Sequence, residues 1–381
     1  MTKKLSPILA IDTSCDETST AVTVGTTVLA NIIASQTQLH APYGGVYPTI
    51  AKQAHQENID QTIQVALKRA QLSWSAIQAI AVTQGPGLAP ALEVGIARAK
   101  QLTTQYQKPL IAVNHLEGHL VSIFAQPRPQ NWRQLSAQQR LDRENHYLAT
   151  FSFPALGLIV SGGHTEFILI NQLGQYQVLG QTIDDAAGEC LDKVGRMLNL
   201  GYPAGPVIEQ FAKKGDATAF EFPLPMTTSD DFNLSFSGLK TYARNLITKL
   251  ETANQLDQQA VYNFAASFQK AVFRHICYKL NKILKEQKWQ TNSPKQPKTL
   301  AKPSQNNQQL WLGGGVAANL KLRQMLRATL KPYKLKLQTP YNKKLCMDNA
   351  AMIGIAAGFT LQRGKVVKAI EKLQRRPRYN L

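Results

Sequence analysis

The chain has 381 residues, of which 44% are hydrophobic, so it is long enough for two globular domains with sizeable cores. Lysine and arginine outnumber aspartate and glutamate by 43 to 24, and the formal charge of +19 favours a polyanionic partner such as nucleic acid. No apolar run approaches the roughly 20 residues that span a bilayer, which argues against a membrane protein, and the first apolar run is broken at Asp12, which argues against a signal peptide. The four cysteines are scattered, which argues against a disulfide scaffold and indicates a cytoplasmic protein.

The first part of the chain alternates short apolar runs with helical patterns. A polar loop from Asp12 to Thr20 follows the first run, and Gly85-Pro86-Gly87 ends a later one. The predicted elements, in chain order, are strands at 8–11, 21–24 and 28–33, a helix at about 50–69, a strand at 79–83, a helix through residue 98, and a strand at 110–113.

A similar order restarts near residue 156. The predicted elements are a strand at 156–160, strands at 167–170 and 177–179, helices within 186–199 and 237–286, a strand at 310–312, a helix from about 316, a strand at 335–338, and a helix opened by Asp348. Alternating strands and helices predict an α/β fold, and the repeated strand, polar loop and hairpin predict two related halves that face each other across a cleft.

The domain prediction divides the chain at two segments that look like insertions. Residues 1–125 form an N-terminal lobe, 126–150 an insertion or linker rich in polar residues, and 151–381 a C-terminal lobe with a mobile basic insertion at 287–309. From Arg363 to Arg378 the chain carries seven basic residues and one acid, Glu371, which suits either phosphate contacts or plain solubility.

Metal-binding chemistry is suggested by Asn114-His115-Leu116-Glu117-Gly118-His119. Histidines four residues apart share one helix face, so both rings reach one ion. Glu117 lies on another face, which places it badly as the base of a zinc protease. Asp348 suits either a helix cap or a third ligand. Two imidazoles and a carboxylate fit iron or zinc, and we expect the histidines at 40, 55, 146 and 275 to be surface or packing residues.

Three loops are suited to a close approach by a ligand. Asp12 to Thr18 combines backbone N–H groups with small hydroxyl side chains, and Ser161-Gly162-Gly163-His164 recurs at the equivalent place in the second half. Gly313-Gly314-Gly315 joins a strand to a helix, and Asn319, about one turn into that helix, is placed to bond a ribose or base. The absence of a following Gly-Lys-Ser/Thr excludes a P-loop.

These features belong to a longer series of motifs. In chain order they are Asp12 to Ser19, Tyr43-Gly44-Gly45-Val46, Gly85-Pro86-Gly87-Leu88, Asn114 to His119, Val160 to Thr165, Asp184 to Glu189, Phe236 to Thr241, Gly313 to Asn319, and Asp348-Asn349-Ala350. With this series the chain resembles the TsaD/YgjD family, the tRNA adenosine threonylcarbamoyltransferases. It departs from the family pattern at Tyr47-Pro48-Thr49, where Val-Pro-Glu is usual, and at Pro90, where glycine is usual.

The resemblance implies an actin, sugar-kinase and Hsp70-like duplicated fold. It implies transfer of a threonylcarbamoyl group from threonylcarbamoyl-adenylate to the exocyclic amine of the adenosine just 3′ of the anticodon, in tRNAs that read codons starting with A, with release of AMP. The resemblance further implies a noncatalytic paralogue and a small ATPase as partner proteins. It implies no association with a membrane. The family's ligands to one divalent metal, iron in preference to zinc, carry over onto His115, His119 and Asp348. Its substrate contacts carry over onto Val160, Ser161, Gly162, Gly163, His164, Asp192, Gly205 and Asn319.

Two other functions remain as alternatives. A metal-dependent glycoprotein endopeptidase would use the same histidines but lacks a well-placed glutamate. A kinase-like or Hsp70-like nucleotide-binding module would use the same loops but gives no reason for the two histidines and Asp348.

Overall fold

The computed structural model describes residues 5–286 and 308–381, which divide between two compact units. The first unit comprises Met1–Phe151 and Thr339–Leu381, and the second comprises Ser152–Gln338. The prediction that 151–381 forms one lobe therefore needs correction beyond residue 338. The chain returns to the first unit because its last helix packs against the sheet of that unit and against the helix that carries both candidate histidine ligands.

The first unit is built on a mixed six-stranded sheet. Its strands are β1 (Pro7–Asp12), β2 (Glu17–Val24), β3 (Thr27–Ser35), β4 (Ala79–Gly85), β5 (Leu110–Asn114) and β6 (Gln126–Pro127), in the order β5-β4-β1-β2-β3-β6. β1 pairs antiparallel with β2 and parallel with β4. β1 and β4 are almost wholly buried, as expected for apolar runs that are covered on both faces.

The second unit repeats this arrangement. Its strands are β7 (Ala155–Val160), β8 (Thr165–Gln172), β9 (Gln175–Gln181), β10 (Gln309–Gly313) and β11 (Lys336–Gln338), in the order β11-β10-β7-β8-β9. β7 forms an antiparallel pair with β8 and a parallel pair with β10, as β1 does with β2 and β4. The predicted duplicated α/β fold, with a mixed sheet in each half, is confirmed.

Eleven α-helices in the described residues accompany the sheets. The first unit holds α1 (Thr37–His40), α2 (Pro48–Ala70), α3 (Ala89–Tyr106), α4 (His115–Val121), α5 (Ala137–Leu148) and α11 (Ala350–Gln362). The second holds α6 (Ala187–Met197), α7 (Ala204–Ala212), α8 (Ser237–Thr252), α9 (Gln258–Glu286) and α10 (Leu320–Leu330). Pro90 stands in the first turn of α3, where a missing N–H removes no helical bond, so this departure from the family pattern is compatible with the fold.

The segment predicted as an insertion or linker, 126–150, is an ordered part of the first unit. β6 pairs with β3, and α5 begins with a capping box between Ser136 and Gln139. Glu144 on α5 is buried and accepts a hydrogen bond from the backbone N–H of Thr26 at 3.0 Å, which fastens the helix to the sheet. Of the predicted insertion 287–309, residues 287–307 lie outside the described residues, and Gln309 already belongs to β10.

Among the described residues, no helix combines the length and the apolar character that crossing a bilayer requires.

Candidate metal centre and loop sites

Both candidate histidine ligands stand on the short helix α4, directly after β5. Asn114 ends the strand and caps the helix, since its Oδ1 accepts hydrogen bonds from the N–H groups of Leu116 and Glu117 at 2.8 and 3.3 Å. His115 and His119 are both buried, and their rings meet edge to face with centroids 4.6 Å apart. The predicted shared helix face is therefore observed.

Asp348 is brought to these rings by the start of α11. The cap of that helix is Asn349, whose Oδ1 accepts from the N–H groups of Ala351 and Met352 at 3.0 and 3.3 Å. The alternative that Asp348 caps the helix is thereby wrong. Gly118 lets the two helices approach, because a Cβ there would lie only 3.0 Å from Ile353 Cδ1 and 3.2 Å from Met352 Cγ.

The three side chains form a compact donor set. Asp348 Oδ1 lies 3.1 Å from His119 Nε2 and 3.4 Å from His115 Nε2, and one donor atom from each residue falls within 4.8 Å of the others. Both ring nitrogens of His119 are buried without a hydrogen-bond partner among the described residues, as expected where an ion completes the site. Two imidazoles and one carboxylate fit a divalent metal ion.

The electrostatics of these groups are dominated by their mutual contacts. Burial lowers the pKa of His115, but the facing Asp348 carboxylate outweighs burial and raises the pKa to about 9. Burial also lowers the pKa of His119, and there it prevails over Asp348. Burial alone would raise the pKa of Asp348, but the two imidazoles hold it well below its usual range. At neutral pH without metal, the site thus holds a proton on His115.

This proton predicts how metal affinity depends on pH. A metal binds the neutral imidazole, so the His115 proton must leave. Because its pKa of about 9 is above the ordinary value, the proton is present below pH 9, and affinity should rise about tenfold per pH unit from pH 7 to 9. Titration calorimetry in buffers of different ionisation enthalpy should show about one proton released per metal bound at pH 7.5. No release would contradict the expectation.

Asp12, at the end of β1, lies behind His115. Its Oδ1 accepts hydrogen bonds from Thr83 Oγ1 at 2.8 Å and from the N–H of Ser14 at 3.2 Å. Its Oδ2 is 3.8 Å from His115 Nδ1, and both of these atoms are buried without a hydrogen-bond partner in the described part of the chain. A carboxylate so placed favours the tautomer with its proton on Nδ1, which leaves Nε2 free for a metal.

Replacing Asp12 by asparagine is expected to lower metal affinity by at least about tenfold. The amide oxygen would keep the bonds to Thr83 and Ser14, so the NH₂ group would face His115 Nδ1 and favour a proton on Nε2, where the metal must bind. Competition titration with a chelating dye measures the affinity, and Asp60→Asn, an exposed acid paired with Arg98, is the control. Equal metal affinities of the folded Asp12→Asn and wild-type proteins would contradict this role of Asp12.

Glu117 does not face the donor set as a protease base would. Its Oε1 lies 3.2 Å from Nη2 of Arg363, directly after α11, and this ion pair joins a partly buried carboxylate to an exposed arginine. The prediction from helix spacing is confirmed.

The remaining histidines have structural or surface positions. His55 is buried, with Nδ1 2.8 Å from Thr18 Oγ1 and Nε2 3.0 Å from the carbonyl oxygen of Cys15. His40 and His275 are buried as well, and His146 is exposed. His40 accepts a bond from the N–H of Tyr47, so this departure from the family pattern abuts a packed histidine.

Around the loop after β1, some of the small hydroxyl groups are used in packing, while Ser14 Oγ is buried without a hydrogen-bond partner in the described residues. Thr13 Oγ1 donates to the carbonyl oxygen of Ala91, and Ser19 Oγ donates to that of Ile32 while it accepts from the N–H of Ala350. These hydroxyls hold the hairpin to α3, β3 and α11. These packing contacts could not be predicted from the sequence, because a small hydroxyl side chain suits a ligand loop and a packed loop equally.

In the second unit, the predicted glycine loops lie side by side at the ends of β7 and β10. Ser161 Oγ accepts from the N–H groups of Gly163 and His164, and Gly162 and Gly163 are exposed with open space around them. Gly314 has φ +92°, and a Cβ there would lie 2.4 Å from the carbonyl oxygen of Val160. The loops can approach only because Gly314 has no side chain.

The other predicted substrate residues also hold loops in place. Asp192 Oδ1 accepts from the N–H of Gly205 at 2.8 Å, so these two residues form one local unit. Asn319 is not inside a helix as predicted but is the cap of α10, after a 3₁₀ turn at Gly315–Ala318. Its Nδ2 donates to Gln269 Oε1 at 2.7 Å. Gln269 was not foreseen, since nothing in its sequence context marks it.

Comparisons with known proteins agree over nearly the whole chain. Residues 27–355 match the family model described as TsaD, tRNA N6-adenosine threonylcarbamoyltransferase. A tRNA N6-adenosine threonylcarbamoyltransferase of Thermosynechococcus vestitus is 42% identical, with 94% of this chain and 91% of the relative covered. One from Syntrophomonas wolfei is 41% identical, with 93% and 92% covered. Among solved structures, a ROK hexokinase from Thermus thermophilus aligns with a TM-score of 0.43 at 14% identity, with 94% and 100% covered.

Proposed function

The chain belongs to the TsaD family of tRNA N6-adenosine threonylcarbamoyltransferases, and we propose that His115, His119 and Asp348 hold a divalent metal that takes part in this transfer. The family activity is transfer of the threonylcarbamoyl group from threonylcarbamoyl-adenylate to the exocyclic amine of a tRNA adenosine. The observation that carries the metal assignment is the buried donor set, in which one Asp348 oxygen lies within 3.4 Å of both imidazole Nε2 atoms.

The reaction is an acyl transfer. The adenosine amine attacks the carbamoyl carbonyl carbon and forms a C–N bond. The C–O bond to the adenylate phosphate breaks, AMP leaves with the electron pair, and the amine loses a proton. No residue is assigned as the base for that proton. The protease alternative is not favoured, because Glu117 is held by Arg363.

The metal site contributes orientation and charge. A bound divalent ion supplies positive charge for phosphate or threonyl oxygens of the intermediate. His115 and His119 provide two ligands from one helix, which fixes their mutual geometry, and the Asp12 carboxylate lies behind the His115 ring, 3.8 Å from its Nδ1. Two imidazoles and one carboxylate with open positions are the ligand set of many non-haem iron sites, so we favour iron over zinc. Metal analysis of protein purified without chelators tests this choice.

The glycine loops of the second unit are assigned to the adenylate. Gly162 and Gly163 are exposed, and the N–H of Gly162 suits a phosphate or carbonyl oxygen, whereas the N–H of Gly163 already donates to Ser161 Oγ. Val160, Ser161 and His164 shape that loop. Asn319 Nδ2 has two hydrogens, and one of them donates to Gln269 Oε1. The other has no acceptor in the described part of the chain and is proposed to bond the ribose or base. Asp192 and Gly205 complete the contacts that the family resemblance assigns to substrate.

The cellular setting follows from the substrate. We propose a cytoplasmic protein that works with a noncatalytic paralogue and a small ATPase. The deciding experiment is mass analysis of nucleosides after incubation of the protein, threonylcarbamoyl-adenylate and unmodified tRNA, with and without candidate partners. Threonylcarbamoyladenosine should appear, and its absence in every combination would overturn the proposal.

A further inference from the structure

The chain beyond α11 runs over the first unit as an ordered strap, defined here as residues 365–381. Leu373 is buried, with 8% of its surface exposed, and packs into the core of this unit. Four backbone groups of the strap are tied at separate points: the N–H of Val367 to Leu110 O, the N–H of Arg376 to Gln84 O, Pro377 O to the N–H of Gly87, and Tyr379 O to Asn114 Nδ2, at 2.8 to 3.3 Å.

The course of the strap is built into the fold. Gly85, at the end of β4, has φ +150°, and a Cβ there would lie only 1.8 Å from the carbonyl oxygen of Arg376. Asn114, which bonds the carbonyl oxygens of Tyr379 and Asn380, is also the cap of α4. The end of the strap therefore lies against the helix that carries His115 and His119.

The strap presents cations to solvent. Four of its basic side chains, Lys365, Lys368, Lys372 and Arg378, are exposed and have no ion-pair partner within the described residues. Arg375 pairs with Glu93 at 2.6 Å, and Arg376 lies over the ring of Tyr379. Glu371 is the single acid of the strap, and its carbonyl oxygen accepts a bond from Lys100, which adds a further cation.

We propose that the strap is a phosphate-binding surface for the substrate tRNA, an inference that rests on the proposed function. Solubility alone would be served by a free basic tail, whereas ordering a backbone costs about 1 to 2 kcal/mol per residue. The ordered strap fixes its cations on the surface of the first unit, and Arg378 is next in sequence to Tyr379, which bonds the cap of α4. Lysine and arginine side chains on such a surface bind phosphates through charge, without reading base sequence. The strap thus positions tRNA while other residues act on the adenosine.

A four-residue charge removal tests the proposal. The strap variant carries Lys365→Gln, Lys368→Gln, Lys372→Gln and Arg378→Gln. The control removes four exposed cations of the second unit by Arg327→Gln, Lys331→Gln, Lys334→Gln and Lys336→Gln. The dissociation constant for unmodified tRNA is measured from 50 to 300 mM salt. Near 0.1 M salt, the strap variant should bind tRNA about 100-fold more weakly than the wild type. Its plot of log association constant against log salt concentration should be less steep by about 3. An unchanged slope, or an equal loss in the control, would overturn the proposal.

A second readout separates this inference from the function on which it rests. In the strap variant, metal content should match the wild type, the KM for tRNA should rise, and kcat should stay within about twofold, because charge removal weakens tRNA binding without touching the reacting groups. If the wild-type protein binds tRNA with the expected salt dependence but modifies none, the proposed function fails and the strap assignment stands. If the strap variant binds tRNA normally but loses a protein partner, the strap is a protein-binding surface and the inference is wrong.

Discussion

Replacing His115 and His119 together by alanine is expected to lower threonylcarbamoyl transfer by at least about 100-fold, the scale on which loss of a preorganised electrostatic contact acts. The two imidazoles are two of the three proposed ligands, and no other described histidine belongs to a donor set that could replace them. Transfer should be measured as modified adenosine per tRNA under single-turnover conditions, with metal content determined on the same sample.

The fold should survive this double change. α4 keeps its cap at Asn114 and its packing against α11 through Gly118. Circular dichroism and thermal unfolding check this point, and Asp348→Asn, which keeps the side-chain shape, is the companion variant. His146→Ala, which changes an exposed histidine, is the matched control and should transfer normally. Wild-type transfer by the folded double variant would exclude a role for the metal.

The second large effect is expected from Gly314→Ala. Gly314 has φ +92°, and the added methyl group would lie 2.4 Å from the carbonyl oxygen of Val160, so β7 and the loop after β10 would have to separate. Unfavourable backbone conformation and this clash should together destabilise the second unit by about 3 kcal/mol. Binding of a nonhydrolysable adenylate analogue should weaken at least tenfold, on the scale of about 1.4 kcal/mol.

Gly315→Ala provides the matched control for this prediction. The neighbouring glycine has no heavy atom within 4 Å of an added Cβ and begins a 3₁₀ turn with ordinary dihedrals. Thermal unfolding and analogue titration of both variants decide the matter. Indistinguishable results for the two substitutions would show that the close approach at Gly314 is unimportant.

The elements nearest the candidate metal site were predictable because their signals are local. The spacing of His115 and His119 gives one helix face whatever the tertiary structure. The choice between Asp348 and Asn349 was not local, since both residue types cap helices, and only the packing of α11 against α4 decides which one faces the rings. The role of Asp12 behind His115 depends on strand order, which brings β1 and β5 to either side of β4.

Assignments that depended on long-range contacts were wrong or incomplete. Residues 339–381 follow the second unit in sequence but pack in the first, through α11 and Leu373. The polar composition of 126–150 left open an insertion or a linker, and the contact that orders the segment, a hydrogen bond from the N–H of Thr26 to the buried Glu144, joins residues far apart in sequence. Asn319 is a cap because the segment before it is a 3₁₀ turn that ends at Ala318, and α10 begins only at Leu320. Composition and spacing do not indicate which residues far apart in sequence will contact each other.

The most direct test of the central claim is transfer by metal-free and reconstituted protein. The chain is stripped of metal, reloaded with Fe²⁺ or Zn²⁺ in steps, and assayed with threonylcarbamoyl-adenylate and unmodified tRNA, with and without the proposed partner proteins. Modified adenosine formed per minute should rise in proportion to metal bound per chain, and the His115→Ala, His119→Ala protein should gain nothing. Transfer by the metal-free protein at the rate of the loaded protein would contradict the assignment of His115, His119 and Asp348 to an essential metal.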